Sequence, residues 1–221
     1  MEILDLDELV ALDKKTSWDK ISLQLLAEYY SAYLMNKTYR FAFEGDILID
    51  LKFENKDFCH LTGVQQVAEH RLKSDAKKRR RSTINTHLYS GKGGFNRVKN
   101  DKITFSGLKN VHSGYYMNKF EKEEKCLFFH LIHRLLSSDN LKVVGFTAVP
   151  DSNITCELIF HDTYDNALLH LGIEKDSKGT HYFPRTFFAR YLSKTNYDKF
   201  VTGRAEVPIL SREVIESPID N

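Results

Sequence analysis

Cysteine is scarce in this chain: Cys59, Cys126 and Cys156 are odd in number, widely spaced and without a CxxC pair. That pattern suggests neither a disulfide framework nor a zinc knuckle, and all three thiols are expected to be reduced. No run approaches the ~18 apolar residues needed to span a membrane. Met1-Glu2-Ile3-Leu4-Asp5 also lacks the basic start and apolar core of a secretory signal, so a cytoplasmic location without membrane association is expected. Gly91-Lys92-Gly93-Gly94 lacks the GxxxxGK[ST] spacing and follows no strong strand, which argues against a nucleotide-binding P-loop and leaves a mobile hinge as the plainer reading. Cys126, His130 and His133 stand at i, i+4 and i+7 of one predicted helix, but no HExxH accompanies them. Core packing is expected there, with no metal and no cofactor.

Apolar residues make up 42% of the chain and aromatics 12%, enough for a substantial core. Charge is unevenly distributed behind a formal net of +2: residues 1–30 carry a net −4 and residues 71–125 a net +10. A chain polarised in this way steers a polyanion to its middle, or docks its own acidic start there.

Leu4, Leu6, Leu9, Val10 and Leu12, then Trp18 through Leu34, recur at helical spacing, with Thr16 and Ser17 as candidate N-caps for the second helix. Two strands, Thr38 to Glu44 and Ile47 to Phe53, are predicted on either side of the Gly45-Asp46 turn. They lead into a helix opened by His60. Phe120 to Leu136 reads as one amphipathic helix. Lys142 to Val149, Thr155 to His161, Asn166 to Glu174 and Tyr182 to Arg190 read as an antiparallel meander, with turns at Pro150-Asp151-Ser152-Asn153 and elsewhere. The expected fold is α+β: an N-terminal helical segment, residues 1–36, and an α+β domain over 37–221, in one unit with the helices packed on an antiparallel sheet of about four to six strands.

Three places carry candidate chemistry. His60 stands where a strand-like period meets a helical one, a position at which an imidazole is either an ordinary half-buried residue or a rigidly held catalyst. Lys77, Lys78, Arg79, Arg80 and Arg81 are five consecutive basic residues. They form either a solvated face or a grip on a polyanion, and their mutual repulsion favours the grip. His181-Tyr182-Phe183-Pro184-Arg185-Thr186 brings an imidazole, a guanidinium and a hydroxyl together. Such groups match what RNA cleavage without a metal requires: a base for the 2′-hydroxyl, an acid for the leaving oxygen and a cation for the phosphate. The bland reading is a β-edge with incidental polar residues around Pro184.

Phe58-Cys59-His60-Leu61-Thr62-Gly63, taken with Tyr182 to Phe188 and the following Asn196-Tyr197, resembles the phage-associated barnase/EndoU/colicin/RelE-like nuclease families, over residues 38–70 and 142–208. The resemblance implies a small α+β ribonuclease with helices ahead of an antiparallel sheet. It places His60 on the family's junction histidine and Thr186 on the threonine after its proline; Arg185 and His181 are added from proximity in sequence. A metal-independent endoribonuclease of a mobile element is therefore expected, a toxin or phage-defence effector with RNA, tRNA included, as substrate and an antitoxin or immunity protein as partner. In that reading His60 is base or acid, His181 its partner, Arg185 a phosphate clamp and Thr186 a positioner. The alternative is a non-catalytic nucleic-acid-binding or regulatory protein using the same basic segment. A third reading makes residues 1–36 a cover or docking surface.

Overall fold

The computed structural model describes residues 2–152, 154–192 and 197–216. Asn153 and Asn196, one in an expected turn and one in the second motif, lie outside these residues. Two short helices come first, α1 (Leu6–Ala11) and α2 (Leu23–Tyr29). Asp5 and Glu8 close a capping box on α1, whereas α2 starts at Ser22, whose hydroxyl accepts from the Leu25 N–H at 3.0 Å. The cap is thus five residues beyond Ser17. A π turn, Tyr30–Leu34, leads into β1 (Lys37–Phe43). Gly45 and Asp46 both take positive φ to return the chain into β2 (Ile47–Lys52), the hairpin expected from the sequence.

Helices follow: α3 (Phe58–Leu61), α4 (Val64–Lys77), α5 (Gly91–Lys99), α6 (Phe105–Val111), α7 (Ser113–Tyr115), α8 (Lys125–Phe128) and α9 (Ile132–Ser137). The single helix expected over Phe120 to Leu136 is broken. Every residue from Cys126 to Ile132 is buried, so no polar face exists to lie against water, and Glu124 at φ 51° and a 3-10 turn, Phe129–Leu131, cut the run. Nor do the glycines in the first turn of α5 form a hinge. A Cβ on Gly94 would lie 2.7 Å from the Tyr89 backbone and 2.9 Å from Cys59 Sγ, so this glycine lets α5 close tightly on its neighbours. His130 and His133 pack in the core, His130 Nε2 against the Lys14 carbonyl at 3.1 Å and His133 Nδ1 against the Tyr29 hydroxyl at 3.0 Å.

The remaining strands are β3 (Lys142–Gly145), β4 (Leu158–Tyr164), β5 (Ala167–Lys175), β6 (Tyr182–Tyr191) and β7 (Ile209–Glu216). Among the described residues seven strands form one sheet in the order β3-β4-β5-β6-β2-β1-β7, more than the expected four to six. The sequence reading omitted β7, an edge strand exposed along most of its length, whose side chains therefore carry little apolar alternation. One large core joins helices to sheet: Leu9, Leu26 and Tyr30 meet Phe41, Phe58, Phe129 and Phe187, so residues on both sides of position 36 share it. The opposite face of β4–β6 carries a smaller cluster of Val144, Val149, Ile159, Phe188 and Phe200. Among the described residues no helix is long and apolar enough to cross a membrane.

The sheet is not wholly antiparallel. β2 and β6 run parallel and pair only at Leu51 and Tyr182. Beyond that point β6 meets α3 in place of a strand. This split puts the His60 helix beside the Pro184-Arg185-Thr186 segment.

Candidate functional site

Pro184 has no N–H to give a ladder, and β6 accommodates it with a bulge. Gly172 of β5 pairs with Thr186 and Ile173 pairs with Pro184, which leaves Arg185 as the extra residue without a partner. Arg185 thereby leaves the alternation of the strand. Thr186, Phe188 and Arg190 then share one face of β6. Across from them, Thr62 bonds back to the Phe58 carbonyl at 2.8 Å and Gly63 turns to φ +84°, which ends α3 one turn after it began and separates it from α4. His60 is left half-buried on a one-turn helix, over Arg185.

His60, Arg185 and Thr186 line one cleft of about 770 Å³, within the size range of ligand sites. Its walls include Gln66, Glu69 and His70 of α4, the 115–125 segment, Asp151, Ser152, Ile154, Thr155 and Lys199-Phe200. Among the described residues, Lys119, Lys122, Lys125, Arg185, Arg190 and Lys199 face it, against Glu69, Glu123, Glu124 and Asp151. Part of the acid charge is engaged: Glu123 pairs with Lys119 and with Lys125 at 3.4 Å, and Glu124 with Lys15 at 3.3 Å and with the Tyr191 hydroxyl at 2.6 Å. Arg185 pairs with Glu174 at 3.3 Å, but both are well exposed, and such a pair contributes about 0–1 kcal/mol. A phosphate can displace it.

Burial holds the His60 imidazole below the ordinary histidine range; the charges of Arg185 and Lys125 push the same way, and a contact with the Arg185 backbone offsets part of this. His60 is therefore neutral at pH 7 and able to accept a proton. Thr186 is placed by what lies behind it. A Cβ on Gly172 would stand 2.7 Å from Thr186 Cγ2 and 3.0 Å from Cys156 Sγ. Gly172→Ala is expected to push the threonine toward the cleft and lower turnover there about tenfold or more, and Thr186→Ser, which removes the offending methyl, should restore part of it. Unchanged turnover in Gly172→Ala would show that the position of Thr186 is immaterial.

Beneath the cleft lies a buried hydrogen-bonded pair. His170 Nε2 and Asp198 Oδ1 are 3.2 Å apart, the histidine fully buried, and Arg190 reaches the same carboxylate at 3.6 Å. Burial raises the Asp198 carboxyl, but His170, the Phe200 N–H and Arg190 together outweigh it and hold the group below the usual carboxylate range. Phe188 stacks on His170 at 4.4 Å and Phe200 lies under the Arg190 guanidinium at 5.5 Å. The pair is too deep to touch a substrate; it fixes the floor on which Arg190 stands. Asp198→Ala leaves the buried His170 Nε2 and the Phe200 N–H without their acceptor and is expected to cost about 1–3 kcal/mol, read by urea denaturation. A loss under about 1 kcal/mol would mean that the pair is not a structural anchor.

The sequence profile of the phage-Barnase-EndoU-ColicinE5/D-RelE like nuclease4 family, PBECR4, matches residues 22–221. The chain belongs to this family. No curated protein and no solved structure matches it. The PBECR4 match takes in α2, the hairpin, the His60 helix and all of β3–β6, and so covers every wall of the cleft.

Of the residues singled out in the sequence, this PBECR4 chain brings His60, Arg185 and Thr186 together and leaves His181 out. His181 sits in the β5–β6 turn. Its N–H donates to Asp176 Oδ1 at 3.0 Å and its Nδ1 lies 3.0 Å from Thr180 Oγ1, which makes it part of a turn that holds Asp176 at about 2 through the backbone N–H groups of His181, Thr180 and Lys178. Five residues of extended strand, ~16 Å, separate it from Thr186. Lys77 to Arg81 are also outside the cleft lining, at the exposed C-terminal end of α4, where Asp75 holds Arg71 and Ser82. The cations of the cleft come from elsewhere, and two signals could have found them. Lys119, Lys122 and Lys125 recur every third residue, and Arg190 keeps the parity of Thr186 along β6.

Proposed function

We propose that this protein is a metal-independent endoribonuclease, a toxin or phage-defence effector of a mobile element. The observation that carries the reading is the convergence of a neutral imidazole, a bulge-borne guanidinium and a ring of cations on one cleft. His60 takes the proton of a ribose 2′-hydroxyl. The 2′-oxygen attacks the adjacent phosphorus, Arg185 and Arg190 hold the charge that builds on the non-bridging oxygens, and the bond to the 5′-oxygen breaks. Lys125, whose charge already reaches His60, gives the leaving oxygen its proton. The products are a 2′,3′-cyclic phosphate and a 5′-hydroxyl. Thr186 positions the sugar, and Lys77 to Arg81 extend the electrostatic track beyond the cleft. An antitoxin or immunity protein with an acidic surface would answer the same cations.

Purified protein incubated with tRNA and total RNA in EDTA is expected to release fragments with those ends. Arg185→Gln should raise KM about tenfold or more. It should also move the acid limb of the pH–rate profile upward, since one of the charges that depress His60 is gone. RNA that stays intact under all conditions would remove the assignment. Salt-sensitive RNA binding without cleavage would favour the non-catalytic reading instead.

A further inference from the structure

Beside the cleft lies a second cavity of about 580 Å³, lined by His70, His112, Gly114, Tyr115, Asn118 and Lys119. His70, Tyr115 and Lys119 belong to both cavities, so a strand leaving one can enter the other. The ridge between them is a stack: the His70 and Tyr115 rings lie 3.8 Å apart and 17° from parallel. His70 is exposed and Tyr115 half-buried, so the stack presents aromatic surface to solvent on a chain whose other large aromatics are mostly in the core. Cations flank it, with Lys73 and Lys119 both close enough for their charge to act on His70. On the far wall Asn118 donates to the Gly114 carbonyl at 2.9 Å and keeps its own side-chain carbonyl for another donor. Aromatic faces, a flanking ammonium and an amide edge are the parts from which single-stranded nucleic acid sites are built.

We propose that this cavity is a nucleobase subsite: it takes the base of a nucleotide neighbouring the scissile phosphate, stacks it on the His70–Tyr115 ridge and holds the intervening phosphate with Lys119. The inference rests on the cleft being a ribonuclease site and adds that the substrate is an unpaired strand, because a base held in a helix cannot reach the ridge. Stacking is sequence-tolerant, so the subsite selects strandedness and length ahead of base identity.

The test uses the full chain and uncleavable 2′-O-methyl oligonucleotides of two, three and four nucleotides, with binding read by fluorescence anisotropy. In the wild type, the nucleotide that reaches the ridge should tighten binding about tenfold, within the span expected for one stacked base. Tyr115→Ala should abolish that increment and Tyr115→Phe should keep it. A 2-aminopurine placed at that nucleotide should be quenched on the wild type, a reading that needs no variant to fold. An unchanged increment in Tyr115→Ala, its loss in Tyr115→Phe, or an unquenched 2-aminopurine would overturn the subsite. Failure of the ribonuclease reading looks different, as stacking and a length increment with no cleavage of RNA; intact cleavage with a flat length dependence would sink the subsite alone.

Discussion

His60→Ala is expected to lower kcat for RNA cleavage about 10²–10⁴-fold, the range over which a positioned general base acts, with little change in thermal stability. The side chain is half-buried on a one-turn helix whose fold rests on Phe58, Cys59 and Leu61, all fully buried, and not on the imidazole. The loss should fall mainly on kcat, since the cations lining the cleft stay in place. The pH dependence should follow from the charge state. Burial and the neighbouring Arg185 and Lys125 depress the imidazole, so the wild-type rate should hold to a pH below the ordinary histidine range and fall only when His60 gains its proton. His60→Ala should lose that acid limb as well as the rate. Cleavage as fast as wild type, or an acid limb that survives the substitution, would take His60 out of the mechanism.

The second large effect is acid lability. Burial pushes His130, His133 and His161 down to about 4, against ~6.5 in an unfolded chain. In the window between, the unfolded state binds these protons and the folded state does not, so stability is whole above about pH 6.5 and is lost as pH falls toward 4. Asp57 works the other way: burial raises its carboxyl to about 6, so the folded state holds one extra proton between about 4 and 6. The balance is a net uptake of about two protons on unfolding, roughly 2–3 kcal/mol per pH unit. Against the 5–15 kcal/mol that typically hold a domain together, two pH units remove much of the stability. Urea midpoints by circular dichroism at pH 7, 6, 5 and 4 should therefore fall steeply. Midpoints that stay level from pH 7 to pH 5 would mean that these imidazoles titrate normally in the fold.

Local patterns that were legible share a short range. The hairpin at Gly45-Asp46 needed only two residues able to take positive φ, and four strands of the meander announced themselves by alternation and turns. Where burial erased the pattern, the reading failed. Cys126 to Ile132 is buried all round, His130 included, so the helix expected there has no polar face and is broken, and β7 is exposed along an edge and showed no strand period. Pro184 is an edge signal in the sequence, but in the fold it sits at a bulge of an interior strand that turns Arg185 out of register.

By itself the sequence determined the hairpin, four strands of the meander, the junction that carries His60 and the chemistry available at Arg185 and Thr186, because each depends on backbone preferences that act over a few residues. Tertiary structure alone decided which of these groups meet. The split between β2 and β6 seats α3 against β6, so His60 faces Arg185 across 125 residues of chain, while His181, only four residues before Arg185, is carried away along an extended strand. It also gathered Lys119, Lys125, Arg190 and Lys199 into one field and buried the His170–Asp198 pair beneath it. Extended backbone rises ~3.3 Å per residue, so nearness in sequence separates groups along a strand, and only the crossing of elements brings distant ones together.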